Sequence, residues 1–321
     1  MSGGISIAQL YQRLDARLQL AWWHGQEGAS LRQLTRDGDA DPCSPLAGHF
    51  NPIRPYPIQL LGEVELAWLD SLATARRAAV LDELFGPLTT LVIVAGARTP
   101  PEDVQRLAAM RGCPLLYTPL SSTRLLNHLS HLLAHALAPR TTLHGVFMAV
   151  LGIGVLITGD SGTGKSELAL ELISRGHRLV ADDAPEFARI APDTLEGRCP
   201  TVLQDFLEAR GLGLLNIRSM FGENAIKQRK YLRLIVNLRD PQNQVMNADE
   251  RLAGMHRQRE ILGVAIPEVD LPVASGRNLA VLVETAVRLH NLRNHDQEDA
   301  LHDFMQRQEA FMAGQPPESP T

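Results

Sequence analysis

The chain has 321 residues, 45% of them apolar and 21% charged, with a net charge of −5. That length suits about two globular domains, and the acidic balance gives no global field for nucleic-acid binding. No apolar run reaches the ~20 residues that span a bilayer, and the first residues lack the charged and apolar regions of a signal peptide. Cys43, Cys113 and Cys199 are odd in number and far apart, which argues against a disulfide framework or a cysteine metal site and for a reducing cytoplasm.

In chain order, residues 7–20 carry apolar side chains at helical spacing. The stretch from Trp22 and Trp23 to Pro42 reads as irregular, with the two tryptophans packed in a core or interface. Residues 58–61 read as a strand and 63–85 as helical. Residues 89–95 (TTLVIVA) form a buried strand, 101–111 a helix, 114–118 a strand, and 121–137 a helix opened by Ser-Ser-Thr. This alternation predicts an α/β fold: a small N-terminal domain with a mainly parallel sheet, covering residues 1–138. It carries no glycine fingerprint and no cluster of carboxylates or histidines, so its role is not readable. Residues 138–142 form the boundary to a second domain, 139–321.

That second domain is built around Gly159, Asp160, Ser161, Gly162, Thr163, Gly164, Lys165 and Ser166, which match G-x-x-x-x-G-K-[ST] at every fixed position. Glycines let backbone N–H groups turn toward phosphate oxygens, Lys165 supplies a cation, and Ser166 offers a hydroxyl to Mg²⁺. The flanks are right: residues 155–158 form a short apolar strand, and 167–175 form a helix with Leu168, Ala169, Leu172 and Ile173 on one face before Gly176. Residues 144–150 read as a strand that turns back at 151–154 into the phosphate-loop strand.

Residues 177–183 place Asp182 and Asp183 at the C-terminal end of a strand, where open α/β sheets bind ligands. Alternation of side chains predicts different jobs for the two: one holding Mg²⁺, the other accepting a proton from an attacking hydroxyl. Residues 208–216 join Glu208 and Arg210 to a glycine-rich turn, as a mobile, metal-touching loop would, although an ordinary turn has the same composition. Arg218, Lys227, Arg229, Lys230 and Arg233 make a basic run that reads first as a solvated face. Asn237-Leu238-Arg239-Asp240 lacks the lysine of a guanine-reading motif and reads as coincidence. Residues 232–238 are a strand, 278–293 an amphipathic helix, and 314–321 a disordered tail.

Residues 152–183 (GIGVLITGDSGTGKSELALELISRGHRLVADD), His144-Gly145, 208–222 (EARGLGLLNIRSMFG) and 272–280 (PVASGRNLA) together resemble HPr kinase/phosphorylase. The resemblance covers nearly the whole C-terminal half. It implies a P-loop kinase domain that phosphorylates one serine of the phosphocarrier protein HPr, from ATP or pyrophosphate. The same site would remove that phosphate by phosphorolysis, giving pyrophosphate. It implies Lys165 and the 159–166 loop as phosphate binders, Ser166 and Glu208 as Mg²⁺ ligands, and Asp183 as the proton acceptor. His144 and Arg251 match active-site positions, residues 207–216 serve both reactions, and 272–277 serve dephosphorylation. In that last segment many members read Pro-Val-Arg-Pro-Gly-Arg, where this chain has Ala274 and Ser275. A cytoplasmic homohexamer is also implied. Two other readings remain on the residues alone: a P-loop kinase of small molecules, and a nucleotide-sensing module without turnover.

Overall fold

The computed structural model describes residues 4–35, 45–53, 55–96, 99–239, 256–274 and 276–293. It divides into two units, Met1–Pro139 and Arg140–Thr321. Cys43, Asp240, Arg251, Ser275 and the tail at 314–321 lie outside the described residues.

The first unit begins with β1 (Ile5–Ser6) and α1 (Ile7–Leu18). Ser6 starts α1 with a capping box: its hydroxyl accepts from the Gln9 N–H at 3.2 Å, and the Gln9 side chain accepts from the Ser6 N–H at 3.1 Å. Then come β2 (Ala21–His24), β3 (Gln33–Leu34), β4 (Ala47–His49), β5 (Ile58–Leu61), α2 (Glu63–Ser71) and α3 (Thr74–Leu84). The unit ends with β6 (Leu91–Ala95), α4 (Glu102–Arg111), β7 (Leu115–Thr118) and α5 (Ser122–Ala136). The sheet order is β2-β7-β6-β5-β4, with β4 to β7 parallel and β2 antiparallel on the edge. The mainly parallel sheet is as expected. Helices cover both faces, which is why β6 is apolar at every position: Leu91, Ile93 and Ala95 face α1 and α5, whereas Val92 and Val94 face α2, α3 and α4.

Two readings of this unit need correction. Trp22 and Trp23 lie in a strand, β2, not an irregular stretch. Trp22 packs on Tyr11 with ring centroids 4.9 Å apart, and Trp23 stands edge-on to Tyr117 at 5.8 Å. The periodicity over 63–85 belongs to two helices separated by extended backbone at Leu72 and Ala73. Leu66, Leu69, Val80, Leu81 and Leu84 enter the same core, so the period survives the break.

Arg77 ties α3 to α4. It donates to Asp103 Oδ1 at 3.1 Å and to Asp70 Oδ1 at 2.9 Å. The guanidinium holds the Asp103 carboxyl below its ordinary value of 3.8 despite partial burial. A depressed folded pKa adds stability above the unfolded value and loses it as pH falls through the folded one. Asp103→Asn should therefore cost about 1–2 kcal/mol at pH 7, and the difference should shrink toward zero below pH 3.8. Urea unfolding followed by tryptophan fluorescence checks this, because all three tryptophans (Trp22, Trp23 and Trp68) lie in this unit.

The second unit contains β8 (Arg140–Thr142), β9 (Val146–Val150), β10 (Ile153–Gly159), α6 (Lys165–Ser174), β11 (Arg178–Ala181), β12 (Glu186–Ala191) and β13 (Thr194–Arg198). It continues with β14 (Phe206–Ala209), β15 (Gly213–Asn216), α7 (Ile217–Phe221), β16 (Arg229–Arg239), β17 (His256–Ile261), β18 (Val264–Pro272) and α8 (Leu279–Arg293). Nine strands form one mixed sheet, and β14 pairs with β15 in a separate hairpin. β9 turns into β10 through Leu151 and Gly152, both at positive φ, as a tight two-residue hairpin requires.

β10 runs parallel to β16, and β16 parallel to β18. β9 is antiparallel to both β10 and β11, so β11 points the same way as β10. The pairs Ile157–Val146 and Ala181–Phe147 therefore bring the end of β10, the end of β11 and the start of β9 to one edge. Under that edge α6 and α8 pack on one face of the sheet, burying Leu168, Ala169 and Leu172 with Ala280, Val283 and Val287. Cys113 and Cys199 are free, and burial pushes both thiols up to about 11. Among the described residues no helix is long and apolar enough to cross a membrane.

Candidate active site

The phosphate loop joins β10 to α6. Gly159 opens it at φ 144°, and a Cβ there would stand 2.6 Å from the Leu238 carbonyl oxygen, so no larger residue fits. The loop holds its own shape, since the Thr163 hydroxyl donates to the Asp160 carbonyl at 2.9 Å. Lys165 Nζ donates to the carbonyls of Gly159 and Asp160, both at 2.9 Å. The cation is thus held over the loop at the N-terminus of a ten-residue helix, where backbone N–H groups and the helix dipole favour an anion.

His144 comes from the neighbouring edge. It precedes β9 rather than starting it, because Gly145 sits at φ 144°, with a Cβ position only 2.4 Å from the Ile157 carbonyl oxygen. The Gly145 N–H donates to the Asp183 carbonyl at 3.1 Å. His144 Nδ1 lies 2.8 Å from Asp183 Oδ1, and both side chains are exposed. Asp183 has φ 67°, a left-handed conformation uncommon outside glycine and tolerated best by Asp and Asn.

Asp182 differs from its neighbour in every respect that matters chemically. It is buried and accepts from the Glu208 N–H at 2.9 Å. Burial pushes its carboxyl above the ordinary aspartate range; the N–H groups of Glu208 and Asp183 pull it back, and the Asp183 and Glu208 charges add to the push. Asp182 anchors a loop, whereas Asp183 offers its carboxylate outward.

The anchored element is the β14–β15 hairpin, so residues 208–216 are two paired strands and their turn. Leu207 and Ala209 point into the core and Glu208 points out, as strand alternation requires. The base is fastened by Arg218, which donates to Asp205 Oδ2 at 2.6 Å and Oδ1 at 3.2 Å and also pairs with Glu223. Arg218, read first as part of a basic face, is therefore structural. The hairpin turn brings Arg210 over the phosphate loop, close enough that a methyl group on Gly162 would lie 3.1 Å from Arg210 Nη1.

These pieces share one cavity of about 200 Å³. Ser161, Gly162, Gly164, Lys165, Ser166 and Glu167 line one side, with His144, Asp182, Asp183, Glu208 and Arg210 across from them. Gly159, Asp160 and Thr163 shape the loop without lining the cavity. Asp182 was expected to hold Mg²⁺ or take a proton, and Arg210 to belong to a metal-touching loop; both line the cavity, and Asp182 accepts from the Glu208 N–H.

Among the described residues no group of three or more His, Cys, Asp or Glu side chains is arranged to hold a metal by itself. The Ser166 hydroxyl and the Glu208 carboxylate, the expected Mg²⁺ ligands, line the cavity beside the Glu167, Asp182 and Asp183 carboxylates, and all are hard oxygens. That set suits Mg²⁺, which is usually held by one or two carboxylates together with substrate phosphates and water.

Residues 135–308 match the HPr Serine kinase C-terminal domain, and residues 5–133 match the HPr Serine kinase N terminus. The chain belongs to the HPr kinase/phosphorylase family. An HPr kinase/phosphorylase of Xylella fastidiosa (strain M12) is 49% identical over 321 residues, covering 99% of this chain and 100% of its own length. The HPr kinase/phosphorylase of Xanthomonas campestris pv. campestris (strain B100) is 49% identical over 294 residues, covering 91% of this chain and 93% of its own. A solved HPr(Ser) kinase/phosphatase from Coxiella burnetii is 36% identical and covers 48% of this chain and 93% of its own, with a TM-score of 0.46. As an HPr kinase family member, the chain is an enzyme that phosphorylates HPr on a serine, and its family implies nucleotide or phosphate donors.

Proposed function

We propose that this chain phosphorylates a serine of HPr from ATP or pyrophosphate, and that the same cavity removes the phosphate by phosphorolysis. The observation that carries the reading is the exposed Asp183–His144 pair, 2.8 Å apart, facing the Lys165 loop across one cavity. A sensor without turnover has no use for an exposed carboxylate held opposite its phosphate site.

In the forward direction the serine oxygen bonds to the transferred phosphorus and the bridging P–O bond of the donor breaks. Asp183 accepts the serine proton, with His144 fixing the carboxylate through Nδ1. Lys165 and the loop N–H groups hold the donor phosphates, and Arg210 faces the same charge. Ser166 and Glu208 would hold Mg²⁺, which when bound neutralises phosphate charge. In reverse, an oxygen of inorganic phosphate bonds to the phosphoserine phosphorus, the serine oxygen leaves, and Asp183 returns its proton. Pyrophosphate is the product. Arg251 is proposed to assist at the active site, and residues 272–277 to serve dephosphorylation, on family likeness alone. Likeness also carries the proposal of a cytoplasmic homohexamer, which light scattering on the purified chain tests.

Incubation with HPr, Mg²⁺ and either donor, read by mass spectrometry, should give one phosphoserine. Intact nucleotide binding without HPr phosphorylation would point instead to a small-molecule kinase. Within this reading, Arg210→Gln should lower kcat by about 10²-fold with a smaller effect on pyrophosphate affinity; steady-state kinetics checks this, and an unchanged kcat would remove Arg210 from the reaction.

A further inference from the structure

The cavity at the phosphate loop, about 200 Å³ in volume, is smaller than the roughly 300–1,000 Å³ that encloses a whole small-molecule ligand. An acceptor whose hydroxyl reaches Asp183 must therefore keep most of its bulk on the rim. The outer face of the β14–β15 hairpin belongs to that rim. Glu208 is the strand partner of Leu214, and directly opposed residues of an antiparallel pair project from one face with Cβ atoms about 5 Å apart. The other face of the hairpin is already occupied: Leu207 is buried, and its partner Leu215 packs against the same core. Because Glu208 lines the cavity, Leu214 stands beside it on the cavity side.

Leu214 nevertheless lies outside the cavity lining and is 65% exposed. Leu212 sits in the hairpin turn, where its N–H donates to the Ala209 carbonyl at 3.1 Å, and it is 72% exposed. Neither leucine contributes much to folding, because neither side chain leaves water. The hairpin is fastened elsewhere, by the Glu208 N–H on Asp182 and by Arg218 on Asp205. A single exposed leucine is ordinary. These two are marked by place: one is opposite Glu208 and the other two residues from Arg210, the hairpin residues that line the cavity. The acceptor in this family is a serine on a protein, so it brings its own surface to the rim, and an apolar shoulder there suits apolar side chains flanking that serine.

We propose that Leu214 and Leu212 form the docking shoulder for HPr, packing against apolar side chains beside its acceptor serine while the hydroxyl enters the cavity. The inference rests on the phosphoryl-transfer reading above and adds where the protein acceptor is gripped.

Steady-state kinetics of the full chain with HPr, Mg²⁺ and ATP tests it, beside calorimetry of pyrophosphate without HPr. Leu214→Thr keeps a strand-forming residue at an exposed position and removes the apolar reach. It should raise the KM for HPr about tenfold, the scale of one buried leucine side chain lost from an interface. Leu212→Ser should raise it severalfold, and Leu214→Ile should restore most of the loss. The rise in KM should exceed any fall in kcat, and pyrophosphate affinity should stay within about twofold, a split that a collapsed hairpin would not give. Unchanged KM for HPr in a folded Leu214→Thr, or an equal loss of pyrophosphate affinity, would overturn the inference. So would a changed oligomeric size by light scattering with KM unchanged, which would assign the shoulder to a second copy of this chain. If Leu214→Thr does not fold, unchanged KM in Leu212→Ser overturns it. A wild-type chain that binds pyrophosphate without phosphorylating HPr would overturn the function reading instead.

Discussion

Asp183→Asn should abolish transfer in both directions, lowering kcat by about 10³-fold or more, while leaving pyrophosphate affinity within about threefold, because the phosphate-binding groups are untouched. Asparagine matches the shape of the carboxylate and tolerates the left-handed φ of 67° found at this position. It can still bond His144 Nδ1, which lies 2.8 Å from Asp183 Oδ1. Only the ability to take and return a proton is removed. Rates of HPr phosphorylation and of phosphate-dependent reversal, beside calorimetry of pyrophosphate, separate the roles. Loss of binding along with activity would assign Asp183 to the metal or the fold.

Lys165→Met should be nearly as damaging and should fail differently. Lys165 is held over the loop by two carbonyls at 2.9 Å, and in the proposed reaction its cation meets the donor phosphates. Its removal should cut transfer by about 10³-fold, as for other groups aimed at developing charge, and should also weaken donor binding by at least about tenfold. The thermal midpoint should barely move, because the ammonium contributes to no buried core. Normal pyrophosphate affinity in Lys165→Met would contradict its placement at the phosphates.

Much of this site was legible because its parts are local in sequence. The phosphate loop is eight consecutive residues, and its strand and helix flanks are read from periodicity alone. Asp182 and Asp183 could be expected to take different jobs because neighbours in an extended chain face opposite ways. Alternation alone did not say which was which; the resemblance made Asp183 the proton acceptor, and Asp182 accepts from the Glu208 N–H of the β14–β15 hairpin, 26 residues later. The same packing brings Arg210 over Gly162. The strands β12, β13, β17 and β18 were not read at all. β17 is His-Arg-Gln-Arg-Glu-Ile, with its described residues before Ile261 exposed, so it shows none of the apolar alternation that marks a half-buried strand.

If one cavity runs the transfer both ways, pyrophosphate must be a true product of dephosphorylation. Serine-phosphorylated HPr incubated with the chain, Mg²⁺ and excess inorganic phosphate, followed by ³¹P NMR, tests it most directly. The phosphoserine resonance should decline as a pyrophosphate resonance grows in equal amount. Dephosphorylation that yields only inorganic phosphate, or none at all from a chain that phosphorylates HPr, would contradict it.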